Sequence, residues 1–407
     1  MLDIAVIGGG AAGLCAAICA ARQNNNLKIS VFEQLDRVGK KIAVTGNGRC
    51  NITNKNLSAS HFYTKRPDFV QNIFSNAGHK EIVSFFETLG VPFYTETDGR
   101  QYPASLQAPS VTDALRFACE RLGVNLNCGC KIADINASRD GFELSADGEK
   151  IIAKRVILAT GGLAGGQKLG CDGSGFKLAA GLSHTRTPLL PAIVQLKTEN
   201  RIVCQLKGIK VDCLATAVVG GKSVRSEYGE VLFCDYGLSG PPILQLSGVA
   251  RPDSTICLDL MCKNNLDTLA KLLYNRAQYF YTRPLSEFFT GMLNKRLGQV
   301  IIKEQGLSLQ ACCGDISEKQ ALNIAKALKS FSFKVINDCG HNNAQATFGG
   351  LNTNEFDSLT LESKKHKGLY AAGEILDVCG DCGGYNLSFA WSSGMIAGKA
   401  AAKSIKL

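Results

Sequence analysis

Two short apolar runs mark the start of the chain, residues 4–7 and 29–32, and the second closes on an acid, Glu33. Apolar runs this short, bounded by turn residues, predict buried parallel strands, and the alanine-rich stretch between them predicts a helix. Two later runs read the same way, 155–159 entering Thr160-Gly161-Gly162 and 369–372 entering Gly373-Glu374. Helical spacing covers 68–89 and 111–122, and alternating patterns at 131–135, 141–144 and 150–152 predict a small antiparallel meander.

The pattern changes near Pro188 and Pro191. Alternation at 210–219, 221–225 and 230–233 predicts a β-rich unit, and long helical patterns follow, notably at 269–280 and 319–328. The strand at 369–372 and a small-residue helix over 387–402 then restore the character of the first 160 residues. The two ends therefore predict one α/β domain, and the middle an insertion of a different kind. Neither an internal repeat nor a low-complexity linker is present.

The first strand runs into Gly8-Gly9-Gly10-Ala11-Ala12-Gly13, a G-x-G-x-x-G turn that opens the helix. Gly8 allows the tight turn, Gly10 lets the backbone approach a pyrophosphate, and Gly13 lets helix and strand pack closely. The helix N-terminus offers N–H groups and a positive dipole end to the phosphates. Glu33 is placed to accept hydrogen bonds from ribose hydroxyls, which disfavours a 2′-phosphate there. Strand, glycines, helix, strand and acid in register predict a dinucleotide site.

Composition narrows the field. At 407 residues the chain suits two or three domains, and its 45% hydrophobic and 20% charged content is that of a globular protein. Asp3 precedes the first apolar run and three glycines interrupt it, so it does not read as a secretory leader. No segment supplies about eighteen uninterrupted apolar residues, so a cytoplasmic protein without a membrane span is expected. The net charge is +10, but the lysines and arginines are scattered; Lys364-Lys365-His366-Lys367 reads as a solvated basic turn. A nucleic-acid partner is disfavoured on that ground, and the positive field suits capture of anionic cofactors or substrates.

The 17 cysteines form no disulfide framework; their odd number and apolar contexts predict reduced thiols. One C-x-x-C occurs, Cys379 to Cys382, with no second pair at ligand spacing, and the five histidines are dispersed, so no metal site is predicted. No H-E-x-x-H, P-loop or G-x-S-x-G is present, which leaves metal and serine-nucleophile chemistry unsupported. The Cys379–Cys382 pair sits in a glycine-rich loop and not at the start of a helix, so packed thiols are favoured over a redox dithiol. Cys50 likewise reads as a packed thiol, and Trp391 as a core aromatic. Arg49 has two readings, orienting a cofactor or anionic substrate, or serving as a structural hydrogen-bond hub. Spacing assigns no proton donor.

These blocks together resemble the FAD-dependent oxidoreductases of the glutathione-reductase-like superfamily, and within it the BaiN-like, or aminoacetone-oxidase-like, family. The matching stretches are Gly39-Lys40-Lys41 with residues 45–51, residues 229–233 with 236–241, and residues 368–394. The resemblance spans essentially the whole chain. It implies a Rossmann-like FAD-binding domain made of residues 1–191 and 345–407. It also implies a β-barrel-like insert of 192–262 and 331–344, a helical insert of 263–330, and an active-site cleft where they meet.

Carried onto this sequence, the pyrophosphate contacts would be Gly8, Gly10, Ala11, Ala12 and Gly13, with Glu33 and Gln34 at the ribose. Lys131 and Ile132 would place main-chain groups at the adenine, and Thr160 and Gly161 would lie beneath the phosphates. Lys40 and Lys41 would contact the cofactor, and Thr45, Gly46, Asn47, Gly48, Arg49 and Cys50 would line the flavin ring. Gly373 and Glu374 would approach the ribityl chain. Gly383, Gly384, Tyr385, Asn386 and Leu387 would start a helix aimed at the flavin N1–C2=O edge, whose charge on reduction the helix N–H groups stabilise. Arg49 and Tyr385 would serve the chemistry. The resemblance implies a small organic substrate and two reactions: NAD(P)H-driven reduction of a C=C bond in a steroid-like enone, or oxidation of a small amine such as aminoacetone by oxygen. Flavin-dependent RNA modification is a third.

Overall fold

The computed structural model describes residues 1–146 and 148–405. Its main sheet has seven strands, ordered Asn125–Cys128, Ile29–Glu33, Leu2–Ile7, Glu149–Leu158, Gly141–Ala146 and Ile132–Ser138, with Leu369–Ala371 also paired to Glu149–Leu158. The strands from Asn125 to Leu369 that flank the first one run parallel, and both ends of the chain contribute. Glu149–Leu158 is one continuous strand, where the sequence pattern suggested two pieces. Its first half pairs antiparallel with Gly141–Ala146 and is half-exposed; its second half lies between Leu2–Ile7 and Leu369–Ala371 and is buried. One strand thus carries two hydropathy patterns because its neighbours change along its length.

The helical pattern at 68–89 is also revised. It forms two helices, Pro67–Asn76 and His79–Thr88. The break falls at Gly78, whose N–H donates to Glu81 Oε2 at 2.8 Å. A Cβ on Gly78 would stand 2.6 Å from the Phe74 carbonyl, so only glycine lets the second helix start there.

Residues Met1–Ala192 and His341–Leu407 form one compact unit, and Ile193–Gly340 the other. In the second, Leu196–Thr198, Gly237–Ser239, Lys222–Phe233, Lys210–Val219, Thr255–Asp259 and Phe331–Asp338 close an antiparallel barrel. Helices Leu266–Tyr279, Lys295–Glu304 and Glu318–Lys329 share a single apolar cluster with it, in which Phe233 and Leu258 meet Leu273, Ile301 and Leu328.

In the first unit, helix Ala11–Gln23 packs along the C-terminal helix Tyr385–Lys403. The contact is backbone on backbone: a Cβ on Gly394 would lie 2.5 Å from the Ala12 carbonyl, and one on Gly398 2.1 Å from that of Ala16. Trp391, fully buried as the sequence suggested, donates its Nε1–H to the Ile52 carbonyl at 3.0 Å. A polar staple closes the same unit. His184 is stacked on Phe356 and bonds Glu355 through Nδ1 (2.7 Å) and Ser363 through Nε2 (2.9 Å). Ser363 Oγ already accepts from the N–H groups of Lys365 and His366, so its own proton goes to Nε2 and the imidazole is the neutral Nδ1–H form.

Two outcomes are expected. Gly398→Val forces the helices apart and should lower unfolding free energy by about 2 kcal/mol in denaturant titration; an unchanged midpoint would refute the contact. The staple makes stability depend on pH. Burial depresses the His184 pKa, with Glu355 pulling the other way. Burial would raise the Glu355 carboxyl, but hydrogen bonds from Lys365, Thr185 and His184 hold it at about 2. In both groups the unfolded chain binds protons more readily, so their contribution is complete above about pH 6.5 and is lost as pH falls. His184 titrates first, and Glu355 follows between its unfolded value and about 2. Glu355→Ala should cost about 3 kcal/mol at neutral pH and flatten the acid limb of stability below about pH 4.5; an acid limb identical to the wild type would sink the assignment.

Candidate functional site

The carboxyl ends of Leu2–Ile7, Ile29–Glu33 and Glu149–Leu158 open onto one groove of about 1150 Å³, its mouth included. Open α/β sheets bind ligands at this edge. Of the residues expected at a cofactor, Gly8, Gly10, Ala11, Ala12, Glu33, Gln34, Lys40, Lys41 and Thr45 line it, with Lys131, Ile132, Thr160, Gly161, Gly373, Glu374, Asn386 and Leu387. These come from seven separate stretches of the chain, and the fold brings them to one wall.

The groove fits an extended dinucleotide on several counts. A Cβ on Gly10 would meet no atom within 4 Å, so its backbone faces open space at the N-terminus of helix Ala11–Gln23. Gly13 does the opposite job: a Cβ there would lie 1.9 Å from the Gly8 carbonyl, and the residue is packing, not lining. Glu33 is held by the N–H groups of Gly9 (2.8 Å to Oε2) and Leu35 (2.9 Å to Oε1). Each oxygen keeps a second lone pair for a ligand hydroxyl. Thr160 Oγ1 is buried on the groove wall with no hydrogen-bond partner among the described residues, an acceptor and donor awaiting a polar ligand group.

A half-buried charge pair stands further along the wall. Lys41 Nζ lies 2.5 Å from Glu374 Oε2, and Glu374 Oε1 accepts from the Thr347 N–H at 2.7 Å. Burial alone would lower the Lys41 ammonium, yet the Glu374 carboxylate beside it holds it above the usual lysine range. The pair is thus ionised and self-compensated. Burial pushes the neighbouring Cys171 thiol up to about 11, against the pull of Lys41.

The loop after Thr45 is placed differently. Gly46, Asn47, Gly48, Arg49 and Cys50 are absent from the groove wall. Arg49 gives one nitrogen to Glu96 Oε1 (3.0 Å) and another to the Tyr102 hydroxyl (3.3 Å), with its guanidinium 4.3 Å over the Tyr102 ring. Its hub geometry is therefore explicit. Cys50 is fully buried, and burial pushes its thiol up to about 12.

Gly383, Gly384 and Tyr385 also stand off the wall; Asn54 Nδ2 donates to the Gly383 carbonyl at 3.1 Å and fixes the turn. Tyr385 packs against Phe62 and stacks on His61, ring centroids 4.3 Å apart. Burial raises the Cys379 thiol well above its ordinary range and the Cys382 thiol as well, so both are protonated.

The groove also has residues that pattern reading missed. Gly9, Leu35 and Gly39 adjoin the motifs, but Leu169 ends the short helical turn Gln167–Leu169, and Cys171 and Gln345 come from irregular loops. No periodicity or motif marks those three, and only the closing of the chain's two ends puts them at the groove.

Residues 2–400 match the family model described as the HI0933-like protein Rossmann domain. A 3-dehydro-bile acid delta(4,6)-reductase of Clostridium scindens is 36% identical over 99% of this chain and 100% of its own length. A ribosomal RNA dihydrouridine synthase of Haemophilus influenzae is 27% identical over 95% of each chain. Among solved structures, the 3-ketosteroid-delta4-(5alpha)-dehydrogenase of Rhodococcus jostii RHA1 shares the fold, with TM-score 0.51 and 16% identity over 99% of this chain and 97% of that one. No helix among the described residues is long and apolar enough to cross a membrane. The glycine turn, the open cradle at Gly10 and the end-to-end match agree: the chain belongs to the HI0933-like Rossmann family and is a BaiN-like, FAD-dependent oxidoreductase.

Proposed function

We propose that this protein reduces a polarised C=C bond in an enone of steroid-like shape, with NAD(P)H as the electron donor. The observation that carries this reading is the 36% identity, over 99% of this chain and 100% of the other, to a protein named as a bile acid reductase. FAD, when bound, supplies hydride chemistry at a ring nitrogen. The chain's part is to bind, orient and exclude water. Gly8, Gly10 and the N–H groups at Ala11 and Ala12 suit the pyrophosphate, Glu33 the ribose, and Thr160 a polar group beneath. The first turn of Tyr385–Lys403 suits the charge that builds on a reduced flavin. Lys41 brings a positive charge to the wall, and Glu374 fixes its position. The sequence holds no second strand–G-x-G-x-x-G–helix unit, so a nicotinamide would visit the flavin site transiently.

A second reading is reduction of a uracil base in RNA. It is favoured by the dihydrouridine synthases of Haemophilus influenzae and Escherichia coli, 27% and 26% identical, and by the net charge of +10. The scattered cations count against it, because RNA binding calls for a contiguous basic face with exposed aromatics.

Anaerobic titration of the yellow protein with NADH and then NADPH should bleach the visible flavin band, and a steroidal 4-ene-3-one should restore it. A band that ignores both nicotinamides but bleaches with aminoacetone would move the protein to amine oxidation. Recovery of the band with a ribosomal RNA fragment and not with the enone would select the second reading. Glu33→Ala should weaken FAD retention about tenfold or more, the worth of a charge-assisted hydrogen bond. Equal retention would show that the carboxylate does not hold the ribose.

A further inference from the structure

We propose that residues 166–172 form a strap across the cofactor groove, and that the Lys131–Asp172 ion pair is the clasp whose opening lets FAD leave. The inference rests on the proposed placement of the cofactor, with Glu33 at its ribose. Leu169, Gly170 and Cys171 line the groove, and so do Gln34, Leu35 and Lys131, which come from other stretches of the sheet edge. Side-chain contacts join the two sets. Gln34 Nε2 donates to the Gly170 carbonyl at 2.8 Å, and Lys131 Nζ lies 2.6 Å from Asp172 Oδ2. A Cβ on Gly170 would stand 3.1 Å from Leu35 Cδ1, so the strap rests directly on that residue.

The strap is a compact turn with a hinge on each side. Inside it the Gly166 carbonyl accepts from the N–H groups of Leu169 (3.1 Å) and Cys171 (3.0 Å), so the turn keeps its shape as it moves. Gly166 (φ +63°) and Gly173 (φ +77°) bound it, both in backbone conformations that other residues rarely adopt. A few positions of this kind absorb the torsional change when a loop opens. Outside the hinges the chain is fixed. On one side Thr347 Oγ1 accepts from the N–H groups of Leu163 (2.9 Å) and Ala164 (3.0 Å), and the Gly165 N–H donates to the His341 carbonyl (2.9 Å). On the other, helix Ser174–Gly181 packs against strand Ile132–Ser138.

The clasp is therefore the weak point of a well-anchored loop. The Lys131 side chain is 51% exposed and that of Asp172 18%. Burial would raise the Asp172 carboxyl, but hydrogen bonds from Lys131 and Ser174 hold it at about 2, so the pair is charged at neutral pH. An ion pair so open to water adds little to global stability. A ligand that leaves only through the open strap feels all of it, because the open population sets the release rate.

The test uses the FAD-loaded protein as wild type, Asp172→Asn, Lys131→Met and the double variant, with thermal midpoints measured to confirm folding. Asparagine keeps an oxygen for the bond from the Ser174 N–H (2.9 Å) and removes only the charge. Release is followed as the rise of free-flavin fluorescence after dilution into low salt. Each single variant should release FAD about threefold faster, the worth of a partly exposed ion pair, and the double variant no faster than either. At about 1 M salt the gap from wild type should close, because screening opens the native clasp as well. Trypsin cleavage after Lys168, exposed on the strap, should be slowed by FAD in wild type and quickened in loaded Asp172→Asn. Three results would each overturn the strap and leave the cofactor reading standing: release from folded Asp172→Asn within about 1.5-fold of wild type, effects that multiply in the double variant, or cleavage indifferent to FAD. A wild type that takes up no FAD would overturn both.

Discussion

Everything at the groove depends on how closely two helices approach. Ala11–Gln23 begins where the pyrophosphate is proposed and Tyr385–Lys403 where the flavin ring is proposed, so their separation sets the reach of the proposed site. Glycines 394 and 398 let the second helix touch the carbonyls of Ala12 and Ala16 directly. The same Ala12 is met from another side by Gly373, where a Cβ would lie 2.7 Å from the Ala12 Cβ. The Gly373 N–H donates to Ser393 Oγ at 2.9 Å, which locks the strand end to the helix. One alanine is therefore the pivot for three segments, and a methyl group added to either glycine neighbour would be felt at both helix N-termini. Close packing transmits such changes because the interior has no slack to absorb them.

The electrostatic plan follows from that geometry. Lys41 and Glu374 are 333 positions apart, and their pair on the groove wall exists only because the ends of the chain have closed on each other. Removing one partner would leave the other charge half-buried without its counter-ion, which is costlier than losing an exposed pair. A groove wall that carries its own compensated charge keeps a fixed field whatever the wider surface does. Arg49 follows the same logic at the next loop, with Glu96 and the Tyr102 ring absorbing its charge.

How legible this was varied with the kind of signal. The glycine turn, the acid at Glu33 and the apolar runs state the dinucleotide half of the groove outright, because backbone approach and strand burial each demand particular residues locally. The strand Glu149–Leu158 was read as two pieces because its pattern switches where its neighbours do. The helix break at Gly78 was overlooked although the apolar stripe jumps there: on one continuous helix Ile82, Phe85 and Phe86 would fall on nearly the opposite face from Phe69, Val70 and Ile73. Asp381 and His61 lay beyond pattern reading altogether. Their meeting is produced by a two-residue strand pairing, too short to mark the sequence with any period. Residues such as Cys171 and Gln345 reach the wall from irregular loops, which leave no period either.

The two kinds of relative at first pull in different directions, one named for a bile acid and the other for ribosomal RNA. Their bond chemistry is nonetheless the same. A 3-keto-4-ene steroid and a uracil ring each present a C=C bond conjugated to a carbonyl, and each is saturated by a hydride at one carbon and a proton at the next. Tools for that operation are a flavin cradle and a charge near the acceptor, and the residues proposed for both belong to the unit made from the chain's two ends. Substrate size need not alter them. What separates the readings is therefore sought away from the cradle, in whichever surface must accommodate a rigid apolar ring system or a long polyanion. The second of these requires cations gathered on one face, and here +10 is reached by 45 basic residues spread through the whole length of the chain.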